Sequence, residues 1–476
     1  MEEKKGLSKF AINAYAAYGT CQNFGFWIPF LYLSVFMTTY LGFTAAQMGT
    51  VLLIAKSIDF CCSLMAGGIV SASNPKKGKY LPWMRVLRFI IAAGAILQML
   101  NTSSLPFAVR GAIIVCGYAM MHGSMNFMVT CQYGLMASMA GANMDDRFAM
   151  TSRQSQISAA GSILLSFGTL PLITRVGQLA GDPSKGYTYV SIAATLFLLL
   201  GVSFLSRAAA PYDVNRTPAN YKRPRVRDMI SAIFSNDQMR VYMIYQIVMQ
   251  TGTYIVSGMA MYYWLLVMNR YNMYSVSAGI STCLGFVFAL FIPRIGKKLG
   301  KQRAQITNIF IMLASKAIMY FLALRSIWWM TFATCFASAG MYLTTAFGVN
   351  YYLDIGEYGY YHSGKDFRTL SMSMSNIPMK VSMAIGGALS AYVLAWIGFD
   401  GVNASFIAGT LDMTSEAFRS FRQTFMAIYT IVPSVSTILS LLIFKFGYKI
   451  TDADAKMYAA ENARRDAEAL ADARGA

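Results

Sequence analysis

Ionisable side chains inside long apolar runs are the residues of this sequence best suited to do chemistry. Lys56 and Asp59 stand three residues apart in one run, and Ser63 follows one turn later, so the three share one helical face. Lys380 lies in another apolar run, one turn after Asn376. A charge at the centre of a helix in hydrocarbon costs about 2.5 to 3.5 kcal/mol, so such groups usually face a cavity or a partner.

The carboxylate of Asp59 is expected to pair with an ammonium, and either Lys380 or Lys56 would make both charges tolerable. A purely structural ion pair and a pair that takes part in transport remain two open interpretations. The residues that would carry a coupling role are Asp59, Lys56, Ser63 and Lys380.

The elements that carry these residues are apolar runs long enough to cross a membrane as helices. Continuous runs of this kind satisfy their backbone groups in lipid as helices, so the sequence predicts an all-α membrane protein. A basic connection that contains proline divides the twelve runs six and six. The predicted spans are 10–38, 46–70, 83–101, 108–136, 150–173, 187–207, 238–268, 273–296, 304–324, 327–353, 370–398 and 420–446.

This division predicts two six-helix bundles, over residues 1–207 and 238–446, joined by a cytoplasmic linker over 208–237. A polar cytoplasmic tail follows over 447–476. Two bundles of six are typical of transporters that hold their substrate between the halves near the midplane. A weak internal repeat supports them, with the basic clusters Asn74-Pro-Lys-Lys-Gly-Lys-Tyr and Arg294-Ile-Gly-Lys-Lys-Leu-Gly-Lys at matching places.

Positive charge predicts the orientation of the spans. Most of the 40 Lys and Arg residues lie at the two chain ends and in every second loop, and basic loops stay in the cytoplasm. The chain is 56% hydrophobic and 13% charged, which is too little polar surface for a soluble globule of 476 residues. The net charge of +19 lies mainly in these short loops, so we expect no nucleic-acid partner. We expect a monomer in the inner (plasma) membrane, surrounded by lipid, with both termini cytoplasmic.

Polar and aromatic residues recur along several spans. A single stripe of this kind is commonly a helix–helix hydrogen bond, whereas several together predict a wet central cavity for a small molecule. The sequence has two histidines and lacks zinc, phosphate-loop and Ser-His-Asp patterns, so we predict no enzyme, metal or cofactor. The residues predicted to bind substrate are Asn23, Trp27, Asn126, Thr130, Tyr133, Arg153, Gln154, Gln250, Tyr254, Thr345, Asn376 and Lys380.

Several short motifs of this sequence form a recognisable set, namely Met48-Gly-Thr-Val-Leu-Leu-Ile-Ala-Lys56-Ser-Ile-Asp59, Gly78-Lys-Tyr-Leu-Pro-Trp83, Asp354-Ile-Gly-Glu357-Tyr-Gly359, Lys380 and Leu394-Ala-Trp-Ile-Gly398. Together these motifs resemble one known family, the glycoside-pentoside-hexuronide:cation symporters. The resemblance implies a major facilitator fold, with twelve transmembrane helices in two six-helix bundles, and cation-coupled uptake of a sugar or glycoside by alternating access.

Departures from the family pattern narrow these expectations. The family typically offers two acids on span 2 and a third on span 4 for a cation; Asp59 matches the first, but the others align with Ser63 and Thr130. One carboxylate supplies few hard ligands for sodium, so we expect proton coupling through Asp59 or no coupling ion. The remaining departures replace the sugar-gripping acid by Asn23, place the span 5 arginine at Gln154 or Arg153, and put Gly134 and Thr345 at the aromatic platforms.

These losses weaken the expectation of a melibiose-like disaccharide. The lining suits a sugar, a less polar glycoside or a related solute, and a carrier of a non-sugar amphiphile or lipid-like molecule remains the alternative. Charges at the cytoplasmic helix ends could close the inner side by pairing between halves, or could be solvated surface charges. The residues predicted to form this gate are Lys79, Arg147, Asp354, Glu357 and Arg368.

Overall fold

Helices make up all the regular structure in the part of the chain that can be described. This confirms the predicted all-α class. Most of the predicted linker over 208–237 lies outside the described residues. The predicted gate residue Arg368, further along the chain, also lies outside them. The computed structural model describes residues 7–76, 78–141, 143–213, 231, 235–364, 371 and 374–475.

Within the described residues, the first half of the chain contains seven α-helices, several of which begin at side-chain caps. Ser8 accepts a hydrogen bond from the Ala11 amide, and Thr44 forms a capping box with Gln47, which satisfies amides that have no partner inside the helix. A π-helical segment, Ala119–Gly123, joins the fourth and fifth helices into one span. The helices are α1 Lys9–Thr39, α2 Ala45–Ala72, α3 Leu81–Gln98, α4 Phe107–Tyr118, α5 Ser124–Ala140, α6 Met144–Leu179 and α7 Pro183–Ala209.

The second half continues in the same way through the described residues. Its first helix also ends in a π-helical segment, Tyr263–Val267. The helices are α8 Asp237–Tyr262, α9 Met273–Ala289, α10 Ile292–Leu299, α11 Lys301–Leu322, α12 Ile327–Ser363, α13 Asn376–Trp396, α14 Phe399–Ile407, α15 Glu416–Gly447 and α16 Asp452–Gly475.

Eight helical segments in the described residues are long and apolar enough to cross a membrane, and they begin at Ala45, Leu81, Phe107, Asp145, Pro183, Lys301, Asn376 and Glu416. The other four predicted spans fall on α1, α8, α9 and α12. On α7, Phe197, Leu200 and Phe204 are 51%, 56% and 54% exposed. Exposure of such large apolar side chains along one helix indicates a face turned to lipid.

The chain forms two compact units, each with its own apolar core. The first unit contains residues Met1–Lys222 together with Met261–Gly279 and Ala391–Met413, and the second contains the rest. Two segments from the second half of the sequence therefore pack with the first half. The domain boundaries at 1–207 and 238–446 stay a prediction.

A buried aspartate fixes the start of α3. Both carboxylate oxygens of Asp213 accept hydrogen bonds from successive backbone amides, those of Lys79 at 3.1 Å, Tyr80 at 3.1 Å and Leu81 at 2.8 Å. Gly78, just before them, has a φ of +89°, and a Cβ at this position would collide with the Asp213 carboxylate. Only glycine fits both the backbone angle and the close approach.

The second half repeats this arrangement at the start of α11. An Asp452 oxygen accepts the Lys301 amide at 3.0 Å, and Gly300 has a φ of +75°. A Cβ on Gly300 would lie 2.7 Å from the same carboxylate. Each of the two basic loops thus has a glycine before a lysine whose amide is held by an aspartate. This agrees with the internal repeat that the loop sequences indicate.

Candidate transport site

Asp59 lies fully buried on α2 and is held by a neighbour on α5. The side-chain amide of Asn126 donates to Asp59 Oδ1 at 2.7 Å. The Lys56 ammonium, from the same face of α2, interacts electrostatically with the Asp59 carboxylate. The structure therefore brings together three of the predicted residues. Asn126, predicted to bind substrate, contacts the carboxylate directly and can hold its orientation.

The π-helical segment before α5 places Asn126 in this position. The Asn126 amide also donates to the His122 carbonyl at 3.0 Å, at the end of the segment. The His122 ring stacks on Tyr118, with ring centroids 3.8 Å apart, and meets Phe26 edge-on at 5.0 Å. Segments of this kind often occur at functional sites because the extra residue in the turn redirects side chains.

Gln98 of α3 supports the same segment, and the sequence prediction missed it. Its buried amide nitrogen donates to the carbonyls of Gly94 at 3.0 Å and Gly117 at 3.3 Å. Added Cβ atoms at either glycine would meet the other's backbone, so α3 and α4 pack in direct contact here. A glutamine inside an apolar run, one turn after a glycine, was the available signal.

The α1 helix presents polar donors inside the first unit. Gln22 Nε2 lies 2.9 Å from the Met125 sulfur, and Asn23 is half-buried. The Tyr18 hydroxyl and the Trp27 indole nitrogen are buried, and within the described residues neither has a hydrogen-bond partner. Buried donors of this kind are rare in folded proteins, so this face of α1 remains a candidate for binding polar groups of a solute.

Ser63 and Thr130, which replace the family's second and third acids, are bonded to their own helices. The Ser63 hydroxyl donates to the Phe60 carbonyl at 2.7 Å, and the Thr130 hydroxyl donates to the Asn126 carbonyl at 2.9 Å. Both hydroxyl protons are therefore committed to backbone oxygens. Neither residue adds negative charge next to Asp59.

Tyr80 packs where a side chain at position 134 would lie. A Cβ on Gly134 would come within 2.9 Å of the Tyr80 hydroxyl oxygen and closer still to its ring. The glycine that stands at the expected aromatic platform of α5 thus makes room for a ring from the start of α3. Its neighbour Tyr133, predicted to bind substrate, is 60% exposed.

Arg153 and Gln154 take different positions on α6. Arg153 is exposed, and its Nε donates to Asn13 Oδ1 at 3.1 Å. Gln154 packs against α1, so closely that a Cβ on Gly19 would lie 2.7 Å from its amide nitrogen. Gln154 therefore lies against α1 at Gly19, whereas Arg153 reaches the same helix at Asn13.

The second unit contains its own chains of polar contacts. On α8, Gln250 donates to Gln246 Oε1 at 2.9 Å, and Gln246 donates to the Tyr242 hydroxyl at 2.8 Å. The predicted residue Tyr254 lies further along the same helix and packs against Gly386 of α13. Gln250 is thus the half-buried end of a three-residue chain.

A second polar chain joins α11 to α8 and α12, and the sequence prediction missed it. Gln305 donates to the Tyr245 hydroxyl at 2.6 Å, and Asn308 donates to the Thr344 hydroxyl at 2.6 Å. Gln305 and Asn308 are buried and three residues apart, so their helical spacing was the available signal.

The remaining predicted residues of the second half lie on α12 and α13. Asn376 is exposed at the start of α13, and Lys380 is half-buried one turn later. The side chain of Thr345 lies outside the described residues. Asp59 and Lys380 belong to different units, so their pairing stays a prediction.

The described gate residues are bonded to groups in their own half of the sequence. Lys79 Nζ donates to the Ser71 carbonyl at 3.3 Å, and Arg147 donates to the Gly141 carbonyl at 2.6 Å. In the second half, Asp354 forms an ion pair with Lys301. Glu357 accepts a hydrogen bond from Asn462 of α16 at 2.7 Å. The predicted pairing of gate charges between the two halves stays a prediction.

The polar tail, for which no role was predicted, forms a helix that packs on the end of α12. Arg465 of α16 donates to the Tyr361 carbonyl at 3.0 Å and lies over the Tyr361 ring. The Tyr458 ring packs against those of Tyr358 and Tyr361. With Asn462, these contacts place α16 directly beside Glu357.

Buried charges and chains of polar contacts inside multiple helical spans fit a membrane transporter. The chain matches the family model described as MFS/sugar transport protein over residues 18–452, and it belongs to this family. It is a secondary transporter of sugar-like solutes with the major facilitator fold. The resemblance to the glycoside-pentoside-hexuronide:cation symporters and the multi-pass inner-membrane location are confirmed, whereas the orientation of the termini stays a prediction.

Individual relatives support this assignment over most of their length. The chain is 25% identical to a putative 2,3-dihydroxypropane-1-sulfonate exporter of Salmonella typhimurium, with 86% of this chain and 87% of the relative covered. It is 24% identical to a glucuronide carrier protein homolog of Escherichia coli, covering 94% and 93%. The solved structure of the nucleoside transporter NupG aligns with a TM-score of 0.60 at 16% identity, over 92% of this chain and all of that chain, and shows the same fold.

Proposed function

We propose that this chain carries a small hydroxyl-bearing solute with a negative charge, such as a sugar acid or a polyol sulfonate, by alternating access. The observation that carries the proposal is the balance of charge inside the spans. Lys56, Lys316 and Lys380 lie within the apolar runs, and Asp59 is the only acid in those runs. A bound anion would offset the excess positive charge at low cost, because lysines in hydrocarbon need a counter-charge.

Two relatives support this substrate class, since a sulfonate and a glucuronide each carry an anionic group. Polar donors are also available for hydroxyl groups, among them the buried Trp27 indole nitrogen and the Tyr18 hydroxyl. An oxygen of a sugar or polyol could accept a hydrogen bond from either group. The proposed substrate therefore combines hydroxyl groups with one carboxylate or sulfonate.

Counterflow in proteoliposomes tests the substrate class with matched pairs of probes. 4-Nitrophenyl glucuronide and 4-nitrophenyl glucoside differ at the group on C5 of the sugar, and 2,3-dihydroxypropane-1-sulfonate is compared with glycerol. We expect the anionic member of at least one pair to exchange about tenfold faster, the ratio that ~1.4 kcal/mol of added binding energy gives. Equal or faster exchange of the neutral members would contradict the proposal.

Replacing Lys380 by Gln is expected to reduce exchange of the anionic probe about tenfold or more, because a counter-charge for the substrate is lost. Exchange of the neutral probe should fall less. Lys456→Gln on α16 is the matched control, since this lysine is exposed on the polar tail. Equal losses for both probes would assign Lys380 a structural role instead.

Proton coupling through Asp59, or transport without a coupling ion, completes the proposal. Its support is that the Ser63 and Thr130 hydroxyls donate to their own helix backbones. Sodium needs several oxygen ligands with net negative charge, which one carboxylate does not provide. We expect exchange of the anionic probe to be unchanged when sodium replaces potassium on both sides of the membrane. A clear gain in affinity with sodium would show that other ligands complete a cation site.

A further inference from the structure

Thr38, at the end of α1, is held by two side chains from the second half of the sequence. Its hydroxyl lies 3.0 Å from the Tyr262 hydroxyl, and its carbonyl accepts the Asn403 side-chain amide at 3.2 Å. All three residues are buried within the first compact unit. These hydrogen bonds tie the end of α8 and the short helix α14 to α1.

Asp400 makes a third connection, to the start of α2. Its Oδ1 accepts the backbone amide of Ala45 at 2.8 Å. The capping box of Thr44 and Gln47 already satisfies other groups at this helix end, so Asp400 completes the cap from 355 positions away in the sequence. A carboxylate at a helix N-terminus is also favoured by the helix dipole.

Aromatic side chains extend the same set of contacts to α7. The hydroxyl groups of Tyr187 and Tyr271 lie 2.9 Å apart, and the Tyr32 and Tyr274 rings meet edge-on at 6.5 Å. Tyr271 and Tyr274 belong to the segment Met261–Gly279, which joins the first unit. Three separate places thus bind second-half residues to the ends of first-half helices.

We propose that Asp400, Asn403 and Tyr262 form a latch on the side of the membrane opposite the termini, and that this latch must release in each transport cycle. The inference rests on the proposed alternating access, in which each side must open in turn. The contacts suit reversible release because they are few hydrogen bonds, and water can replace each of them when the segments part. Asp400 is the positioning residue, since its carboxylate oxygen accepts the first backbone amide of α2 from the other half of the sequence.

Hydrogen exchange of the full-length protein in lipid nanodiscs tests the latch without any substrate. We expect Asp400→Ala to speed hydrogen exchange roughly fivefold, which is the factor that loss of one N-cap contact gives. The faster exchange should appear around Ala45 and also in the segments Met261–Gly279 and Ala391–Met413. Asp400→Asn should restore slow exchange, because its amide oxygen still accepts. Tyr262→Phe should speed exchange in the same segments.

Asp182→Ala supplies the matched control. Asp182 caps α7 through the amide of Ser184 at 2.8 Å, and the Ser184 hydroxyl and amide together lower the pKa of this carboxyl. Its contact is local, so faster exchange should stay within the start of α7. If Asp400→Ala changed exchange around Ala45 alone, Asp400 would be an ordinary helix cap and the latch would be refuted. The hydrogen-exchange result does not depend on the substrate, so it would stand even if the anionic probes failed to exchange in counterflow.

Discussion

With a proton as the coupling ion, Asp59→Asn is expected to abolish accumulation of substrate against its gradient while leaving downhill exchange measurable. The carboxylate is the only acid in the apolar runs, and it lies buried beside Lys56 and Asn126. An amide has nearly the same shape and can still contact Asn126, but it cannot take up and release a proton. Proteoliposomes with an imposed pH gradient would report the loss directly, because wild-type uptake should rise with the gradient and variant uptake should not.

Ser63→Ala is the control for Asp59→Asn. It alters the same helix face, but the hydroxyl that it removes donates to the Phe60 carbonyl. We expect its gradient-driven accumulation to stay within about twofold of wild type, as for loss of one weak hydrogen bond. Unchanged accumulation in Asp59→Asn, with rates independent of pH, would remove Asp59 from any coupling role.

Gly78→Ala is expected to cause the largest loss of stability among single-methyl additions at loop glycines. The change forces an L-residue to a φ of +89° and pushes its Cβ into the Asp213 carboxylate. Backbone strain of about 1 kcal/mol adds to the weakening of a cap that holds three amides, so we expect about 3 kcal/mol in total. Thermal unfolding of purified protein, followed by light scattering and intrinsic fluorescence, measures the effect.

Gly181→Ala separates the two causes. Gly181 has a similar positive φ of +68°, but no atom lies within 4 Å of an added Cβ. This variant should show the strain of about 1 kcal/mol alone. If the two variants lost equal stability, the Asp213 contact would contribute nothing. Asp213→Ala should resemble Gly78→Ala in direction, because the same three amides lose their acceptor.

Local sequence pattern predicted the elements and one face of the site. Hydropathy placed the spans, and the three-residue spacing of Lys56 and Asp59 placed both on one side of α2, where they interact. The motif that contains Gly78 and Lys79 also fell at the start of a helix, as its position between two apolar runs suggested.

Contacts between distant residues could not be predicted in the same way. Asn126 lies 67 positions from the aspartate that it holds, and Asp400 lies 355 positions from Ala45. Helical periodicity says which side of a helix a residue is on, but not which helix lies opposite. The π-helical segment that contains His122 was missed for a related reason, since its contact with Gln98 joins residues 23 positions apart. Composition likewise left the tail without a role, because its place beside α12 depends on contacts between distant residues, such as that of Arg465 with Tyr361.

The docking of α16 on α12 has a practical consequence for any shortened or fused form of the chain. Asp354 and Glu357 stand three residues apart, and each is bonded to a partner, Lys301 or Asn462. Cutting the chain before Asn462 would remove the amide that donates to Glu357 and leave this carboxylate less well stabilised beside Asp354. Reporter proteins are therefore best attached beyond Gly475 through a flexible connector, so that α16 keeps its contacts with α12.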